Sequence, residues 1–429
     1  MRDNIGSRIG VNIVIFFVFT LFIYRSIITS NLLQYGIILM SIMCFLLWNG
    51  GKVYLHKSGY DLLLILAILY FVFAIRARTS ANIYQFILYV LMVLFFWCAR
   101  TATGNFRNIT NMIVFCSMIS ATTVILQWLL PEQFNRLVVP LFNTWNQEYI
   151  YTIFSHGYYM GFNNLVGDTA GYLVMAILVI LAGFQIGKDK NIWHIIMFCV
   201  LCFALLLTGK RAHVLFLLAT YVVMILAKNW DKQLLIRVLK IIGIFAVIVG
   251  ICVAAVIFMP DVPVVVRLVE TYENLMHGED ISSGRDMLYF YALQLFANNW
   301  IFGIGWDIFP VLTTSSFGYE AAHDVNNSYL QLLCETGVVG TVIFLLPMFI
   351  MFFKALGLTK KWAKKQIVIS DLNAQILLFC IGYQSFFWMY FYTESPMYDT
   401  IYLYTYFVTM AFVYALDKEQ RALLKEKRN

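Results

Sequence analysis

Long apolar runs separated by short polar breaks organise this chain. Stretches of roughly 20 mostly apolar residues, enough to cross a hydrocarbon layer of ~30 Å, centre on 8–24, 31–48, 60–75, 83–98, 109–130, 164–186, 191–208, 211–228, 236–258, 329–353, 372–392 and 397–416. Apolar residues run on continuously within them instead of alternating, which predicts helices and argues against membrane strands. The expected fold is all-α, a polytopic integral membrane helical bundle of about 12 transmembrane helices. The first run follows only Met1–Ser7, with no small-residue cleavage site, and reads as a retained helix rather than a signal peptide.

The polar segments are uneven. Residues 131–163 form a moderate loop rich in aromatics, and 259–328, between the ninth and tenth spans, is the largest polar element. A loop of that length is usually functional. Inside it, RDMLYFYALQLFANN (285–299) predicts an amphipathic helix with a stripe of Leu288, Ala292, Leu295 and Phe296. That helix is too short to span and is expected to lie on the membrane against the bundle. GIGW (303–306) marks a turn after it. Tied down at both ends, the loop has the character of a lid or active-site cap. Nothing in 1–429 suggests a second globular domain, so a single membrane domain is expected.

Composition agrees: 61% of residues are apolar, 12% are charged, and the mean hydropathy is +0.77. These values exclude a soluble enzyme, a disordered chain and a secreted disulfide scaffold. With the N-terminus inside, 22 of the 30 basic residues fall on the cytoplasmic side, including those of the basic 354–371 segment, which is expected near anionic headgroups. Both termini are then cytoplasmic, and the 131–163 and 259–328 loops are external. Seven of the eight outer basic residues (Arg25, Arg76, Arg78, Arg136, Lys210, Arg211, Arg267 and Arg285) are arginine, whereas lysine dominates inside. Arginine offers a planar fork for phosphate and carboxylate oxygens that lysine lacks. Arg25, Arg76 and Arg78 also suit plain interfacial anchoring.

The eight cysteines fall in or at the ends of apolar runs, where they read as small packing residues. Cys199 and Cys202 form a CxxC with no second pair, which does not suggest a metal site. No GxxxxGK[ST] loop is present, so nucleotide hydrolysis has no support.

Three segments carry candidate chemistry. In LLLTGKRAHVL (205–215), Lys210 and Arg211 put adjacent cations at the junction of two apolar helices, a costly place for charge, while His213 reads as a packed histidine. In SSGRDMLYFYALQLFANNWIFGIGWDIF (282–309), Arg285 opens the amphipathic helix, with Glu279, Asp280 or Asp286 as possible ion-pair partners. In AAHDVNNSYLQLLCETGVVG (321–340), His323, Asp324, Asn326, Asn327 and Ser328 gather at the outer end of a helix, more polar residues than a cap requires.

In this order, the three segments resemble the O-antigen polymerase and ligase superfamily, multi-span membrane glycosyltransferases that use undecaprenyl-pyrophosphate-linked glycans. GKRA matches the family's arginine between two spans, at Arg211. Ser283, Gly284, Arg285, Gly303 and Gly305 match its "sGR" and "GxG" elements. Asn327, Tyr329, Leu330, Gln331, Leu333, Glu335, Gly337 and Gly340 match its "HNxYLqxLxExGxxG". The family's histidine position holds Asn326 here, with His323 three residues earlier; on a helix the two share a face.

The resemblance implies transfer of a glycan from a polyprenyl pyrophosphate. Arg211 and Arg285 would stabilise charge on the leaving pyrophosphate, and His323 would take the proton of the attacking hydroxyl. Lys210, Arg267, Asp324, Asn326, Asn327 and Tyr329 are the implied substrate contacts. Trp145, Tyr149, Tyr151, Tyr158, Tyr159, Trp306 and Tyr319 are candidates for stacking on sugars. Metal, cofactor and nucleic acid are not implied. The implied partners are undecaprenyl-pyrophosphate-linked oligosaccharides, the lipid bilayer, and a chain-length regulator and flippase of the same pathway.

A polymerase making O-antigen, capsule or exopolysaccharide and a ligase passing glycan to lipid A core share this chemistry. A transporter or lipid-linked glycan flippase is the reading from another class; the polar residues gather at one face, without the two related halves such proteins commonly show. The topology is testable. With native cysteines unreactive, a single cysteine at Glu279 should react with an impermeant thiol reagent on intact cells, and one at Lys361 should not. The opposite pattern inverts the orientation.

Overall fold

Hydrocarbon surroundings favour a backbone that satisfies its own N–H and C=O groups, and helices do this within one segment. In the computed structural model the described residues are 59–76, 80–100, 103–104, 106–163, 165–187, 191–230, 263–277, 285–319 and 322–426, with isolated positions between 36 and 46 and at 243. Their regular structure is entirely helical. In chain order it comprises α1 (Gly59–Ala74), α2 (Ser80–Ala99), α3 (Phe106–Leu129), α4 (Pro131–Leu137), a 3-10 turn (Val139–Leu141), α5 (Thr144–Ser155), α6 (Val166–Ile186) and α7 (Ile192–Leu207). There follow α8 (Arg211–Lys228), α9 (Pro263–His277), α10 (Arg285–Asn298), α11 (Phe309–Ser315), α12 (Ser328–Ala363), α13 (Asp371–Tyr390) and α14 (Thr400–Glu426).

Among the described residues, five helices are long and apolar enough to cross a membrane: α2, α3, α6, α8 and α12. Helices α1 and α7 are apolar but shorter, and α13 and α14 overlap the expected runs 372–392 and 397–416. The runs 8–24 and 236–258 lie outside the described residues apart from Gly243, and 31–48 is described only at isolated positions. The fold is thus an all-helical, multi-pass membrane protein, and a count near twelve rests on the sequence.

The chain divides into two compact units. One comprises Met1–Ile37, Gly104–Glu279 and Leu356–Tyr383; the other comprises Ile38–Thr103, Asp280–Ala355 and Gln384–Asn429.

In the first unit α6 is buried almost end to end, against α3, α7 and α8. The 131–163 loop packs into a small core with the start of α6, made by Phe134, Val139, Phe142, Ile150 and Met160 of the loop and Val166 of the helix. Polar side chains of α3 fasten its last bend. Gln127 Oε1 accepts from the backbone of Met160 (3.0 Å) and Gly161 (2.8 Å), and Asn163 Nδ2 donates to Ser120 Oγ (2.6 Å).

In the second unit α1, α2 and α14 meet around a buried ion pair. Arg100 Nη1 donates to Asp61 Oδ1 at 2.5 Å, Trp97 Nε1 donates to the same oxygen at 3.1 Å, and the guanidinium lies over the rings of Phe96 and Tyr414. Helix α14 is buried from Thr400 to Leu416, then continues as an exposed charged segment.

The second unit also contains a broken helix. At Gly337 the backbone leaves helical geometry, with φ 64° and ψ −176°, and the turn 300–306 fits against the gap. The N–H groups of Val338 and Val339 donate to the carbonyls of Trp300 (2.8 Å) and Ile301 (3.2 Å). In return Ile304 N–H donates to Cys334 O (2.9 Å) and Gly305 N–H to Glu335 O (2.8 Å). Tyr70 of α1 donates its hydroxyl to Thr336 O (2.6 Å), and Trp306 N–H donates to Ala74 O (2.9 Å). A Cβ at Gly303 would strike the Glu335 carbonyl, and one at Gly337 would strike the Ile301 carbonyl; both glycines have positive φ. The family-like glycines therefore build a joint.

Gly337→Ala should destabilise the folded protein by more than about 1 kcal/mol, because it adds a clash to a left-handed backbone. Gly357→Ala, in the same helix with open space around it, should stabilise by about 0.5–1 kcal/mol. Melting temperatures of the two variants in detergent should move in opposite directions, and a Gly337→Ala protein as stable as the parent would contradict the joint.

Candidate functional site

The second unit draws together residues from four stretches of chain. Arg285, the first residue of α10, donates to the carbonyl of Thr393 and through Nη2 to Glu394 Oε1 at 3.3 Å. Its side chain stays 28% exposed, held in place while still reachable. Among the described residues Arg285 pairs with Glu394, which lies 109 residues further along the chain, and not with the adjacent Asp286; the other two expected partners, Glu279 and Asp280, lie outside the described residues. Beside this pair, Ser395 Oγ donates to Gln331 Oε1 (2.7 Å), and Gln331 Nε2 donates to Asp324 Oδ1 (2.9 Å). Arg285, Glu394, Ser395, Gln331 and Asp324 thus contribute to one polar cluster in which Asp324 senses the charge of Glu394.

The same unit holds a third carboxyl, Glu335. Glu335 is fully buried and accepts from the backbone N–H of Asp307 (2.9 Å), the N–H of Phe309 (3.2 Å) and the hydroxyl of Tyr398 (2.6 Å). It thereby satisfies backbone donors around the start of α11, which makes it a positioning residue for the turn. Burial pushes the Asp307 carboxyl up to about 7, and the nearby Asp324 charge adds to the rise. Burial also raises Asp324, with Glu394 adding to the rise; the Gln331 hydrogen bond and His323 pull it back.

The segment 322–327 is not helical, and α12 begins at Ser328. The helix-face argument linking His323 to Asn326 is therefore corrected. His323 is exposed, its ring set edge-on to Tyr319 at 5.2 Å, while its backbone N–H donates to Thr313 Oγ1. Asn326 has φ 54°, a left-handed backbone that Asn and His both tolerate better than most residues, and its carbonyl accepts from Tyr289. Asn327 caps α12, its Oδ1 accepting from Leu330 N–H at 3.1 Å. Tyr329 donates its hydroxyl to Trp388 O (2.9 Å) and packs on Phe391 and Tyr392.

Trp306 needs a further correction. It is 1% exposed, packed among Phe71, Phe344 and Tyr398, so its ring belongs to the core and offers no face to a sugar. Burial also separates the cysteines: Cys98, Cys116, Cys334 and Cys380 are packed inside, whereas Cys199 is exposed. Cys44 and Cys252 lie outside the described residues.

The first unit holds the other cations. Lys210 and Arg211 are half-buried at the start of α8, and His213 is fully buried one turn on. The turn before them is built on Gly209, whose backbone lies against the ring of Tyr158 and beside Pro263 of α9. Tyr159 N–H donates to Leu207 O (3.3 Å), which ties the 131–163 loop to the same turn. Arg267 lies on α9, and its side chain and that of Trp145 are outside the described residues. Tyr151 is exposed; Tyr149, Tyr158, Tyr159 and Tyr319 are partly buried.

Sequence reading did not single out Glu394, Ser395 or Asp307. Glu394 and Ser395 follow α13 in a TESP stretch that matches no expected motif, and only the fold brings them to Arg285 and Gln331. The one available signal was the acidic Glu394 just beyond an otherwise apolar run. Chemically, the cluster offers a fixed guanidinium to hold an anion, and the nearby Asp307 carboxyl, pushed up to about 7, can exchange a proton near neutral pH.

Comparison with known proteins gives one family model, described as O-antigen ligase, that matches residues 195–345. That range contains Lys210, Arg211, Arg267, Arg285, His323, Asp324, Asn326, Asn327 and Tyr329. No curated protein matches the chain.

The raised Asp307 carboxyl has a measurable consequence. Its ordinary value is 3.8 and its folded value about 7, so the folded chain binds the proton more tightly than the unfolded one. The associated stability is complete below the unfolded value and is lost as pH rises through the folded value. The melting temperature in detergent should fall between about pH 5 and about pH 8. Asp307→Asn, permanently neutral, should flatten that slope. An unchanged slope would mean that Asp307 is already ionised at the lower pH.

Proposed function

We propose that the chain, whose residues 195–345 match a family model described as O-antigen ligase, transfers a glycan from a polyprenyl-pyrophosphate carrier to a sugar hydroxyl at a membrane surface. The observation that carries this reading is Arg285. Glu394 and the Thr393 carbonyl each take one N–H, on different terminal nitrogens, and the Tyr289 side chain also hydrogen-bonds the guanidinium. Fixed in this way and still partly exposed, it suits the oxygens of a leaving pyrophosphate. In the reaction, the anomeric C–O bond of the donor breaks and its electron pair goes to the pyrophosphate. The acceptor oxygen forms the new C–O bond and gives up its proton to a base.

In this proposal Arg211 and Arg285 stabilise the pyrophosphate as charge develops, and His323 is the base, since a neutral imidazole accepts a proton near physiological pH. Asp324 is the second reading for the base, favoured by its hydrogen bond to Gln331 inside the Arg285 cluster. Lys210, Arg267, Asn326, Asn327 and Tyr329 are proposed to line the route of the substrate. The proposed setting is the cytoplasmic membrane with the site facing outward, supplied by a flippase and tuned by a chain-length regulator. The donor is an undecaprenyl-pyrophosphate-linked oligosaccharide, and the product is O-antigen, capsule or exopolysaccharide.

Polymerase and ligase differ only in the acceptor. We propose the polymerase, and the ligase is the second reading because the matching family model is described as O-antigen ligase. The purified chain given only lipid-linked repeat units should extend them. Transfer that occurs only when lipid A core is added identifies the ligase instead. Arg211→Lys and Arg285→Lys keep charge but lose the planar fork, and each should lower the rate by about 100-fold. Near-normal product from both reduces them to charge anchors. His323→Gln should abolish elongation, and the exchange His323→Asn with Asn326→His should recover part of it. Full activity of His323→Gln across neutral pH passes the role of base to Asp324.

A further inference from the structure

The first unit contains a cavity of about 770 Å³ that the glycan reading does not use. Its walls include Val114 and Met118 of α3 and Met197 of α7. Its polar lining comes from Arg107 and Asn111, in the first turns of α3, and His194, in the first turn of α7. It lies near the start of α7, whereas Lys210 and Arg211 follow the end of that helix. The 13 residues from His194 to Leu207 place the two roughly 20 Å apart along the helix axis.

Surroundings and charge indicate what the cavity holds. On α7 the residues beside it, Ile192, Trp193, Ile195 and Ile196, are 61%, 65%, 46% and 43% exposed. A row of outward apolar side chains at a helix start, with a tryptophan among them, suits the hydrocarbon boundary of a bilayer. The first turns of α13 also contribute to the lining, and the segment leading into that helix carries Lys360, Lys361, Lys364 and Lys365. A slot with apolar walls, an arginine at its polar end and a lysine-rich approach complements a ligand with a hydrocarbon tail and an anionic head.

We propose that this cavity binds one anionic phospholipid from the surrounding leaflet, its acyl chain along Val114, Met118 and Met197 and its phosphate at Arg107, Asn111 and His194. Arginine supplies a bidentate fork for phosphate oxygens, while Asn and His add single hydrogen bonds. The orientation set by the basic residues puts this end in the inner leaflet, where anionic headgroups meet basic segments. The site does not depend on the identity of the reaction, so its test is independent of glycan transfer.

The full chain, reconstituted in phosphatidylcholine nanodiscs, would receive a small fraction of phosphatidylglycerol carrying a photoreactive acyl chain. Cross-links should map to the peptides around Val114–Met118 and His194–Met197. Arg107→Gln should lower their yield about fivefold, the factor that one basic side chain is worth at an anionic lipid surface. Arg107→Lys should retain most of it, which shows that the slot is still folded. Met118→Trp, which fills the slot and leaves the charge, should remove the cross-links. Equal labelling by photoreactive phosphatidylcholine overturns the anionic site. Indifference to both Arg107→Gln and Met118→Trp overturns the cavity as the location. Displacement of the probe by polyprenyl phosphate in preference to phosphatidylglycerol overturns the phospholipid as the ligand.

Discussion

A break in a membrane helix exposes backbone donors and acceptors that lipid cannot satisfy, and the second unit is arranged around meeting that demand at Gly337. The turn 300–306 takes up the N–H groups of Val338 and Val339 and supplies N–H groups to Cys334 O and Glu335 O, while Tyr70 serves Thr336 O. Backbone pairing here is thus shared between two segments and a side chain. With the turn held, Trp306 is carried into the core against Phe71, Phe344 and Tyr398, and Asp307 and Phe309 come within reach of the Glu335 carboxylate. One accounting problem in hydrogen bonds therefore sets the position of the segment between α10 and α11.

Buried polar groups recur wherever these helices must be located accurately. Asp61 and Arg100 are each almost fully buried and joined through both carboxylate oxygens. Removing one partner of such a pair would leave an uncompensated charge at a cost of about 3–5 kcal/mol. In the first unit Gln127 and Ser120 do similar work on the bend 160–163 through neutral hydrogen bonds. Apolar packing alone is non-directional, and in lipid it distinguishes poorly between one rotation of a helix and another. Directional polar contacts supply that distinction.

The same logic separates holding residues from reactive ones in the family-like motifs. Glu335, Gly303 and Gly337 make the joint. Asn327 caps α12, and Tyr329 anchors it to the end of α13 through Trp388 O. Arg285 differs from these: it is oriented by Glu394 and the Thr393 carbonyl and still partly open to solvent. A guanidinium fixed before the ligand arrives loses less side-chain freedom on binding an anion. The Asp307–Asp324 pair beside the joint adds carboxyls whose burial brings proton exchange toward neutrality.

Much of this was legible in the chain itself. Continuous apolar runs determine helices in lipid because the period and length of the pattern leave no other way to satisfy the backbone, and α1 to α3, α6 to α8 and α12 to α14 fall on runs read from sequence. The helix opened by Arg285, with Leu288 and Ala292 turned inward, and the turn at 303–306 were equally visible as local patterns. Contacts between distant segments were not. The pairing of Arg285 with Glu394, the packing of Trp306 against Phe71 and Phe344 and the hydrogen bond from Ser395 to Gln331 join residues tens to more than two hundred positions apart, and local periodicity carries no information on such partners. His323 shows the limit most clearly: a spacing of three implied a shared helix face, but the non-helical 322–327 segment and the cap at Asn327 start α12 only at Ser328. Sequence determined which segments enter the membrane and which residue types wait at their ends. Tertiary structure decided which of those residues meet, because hydrogen-bond satisfaction in a low-dielectric interior is settled between segments and not within them.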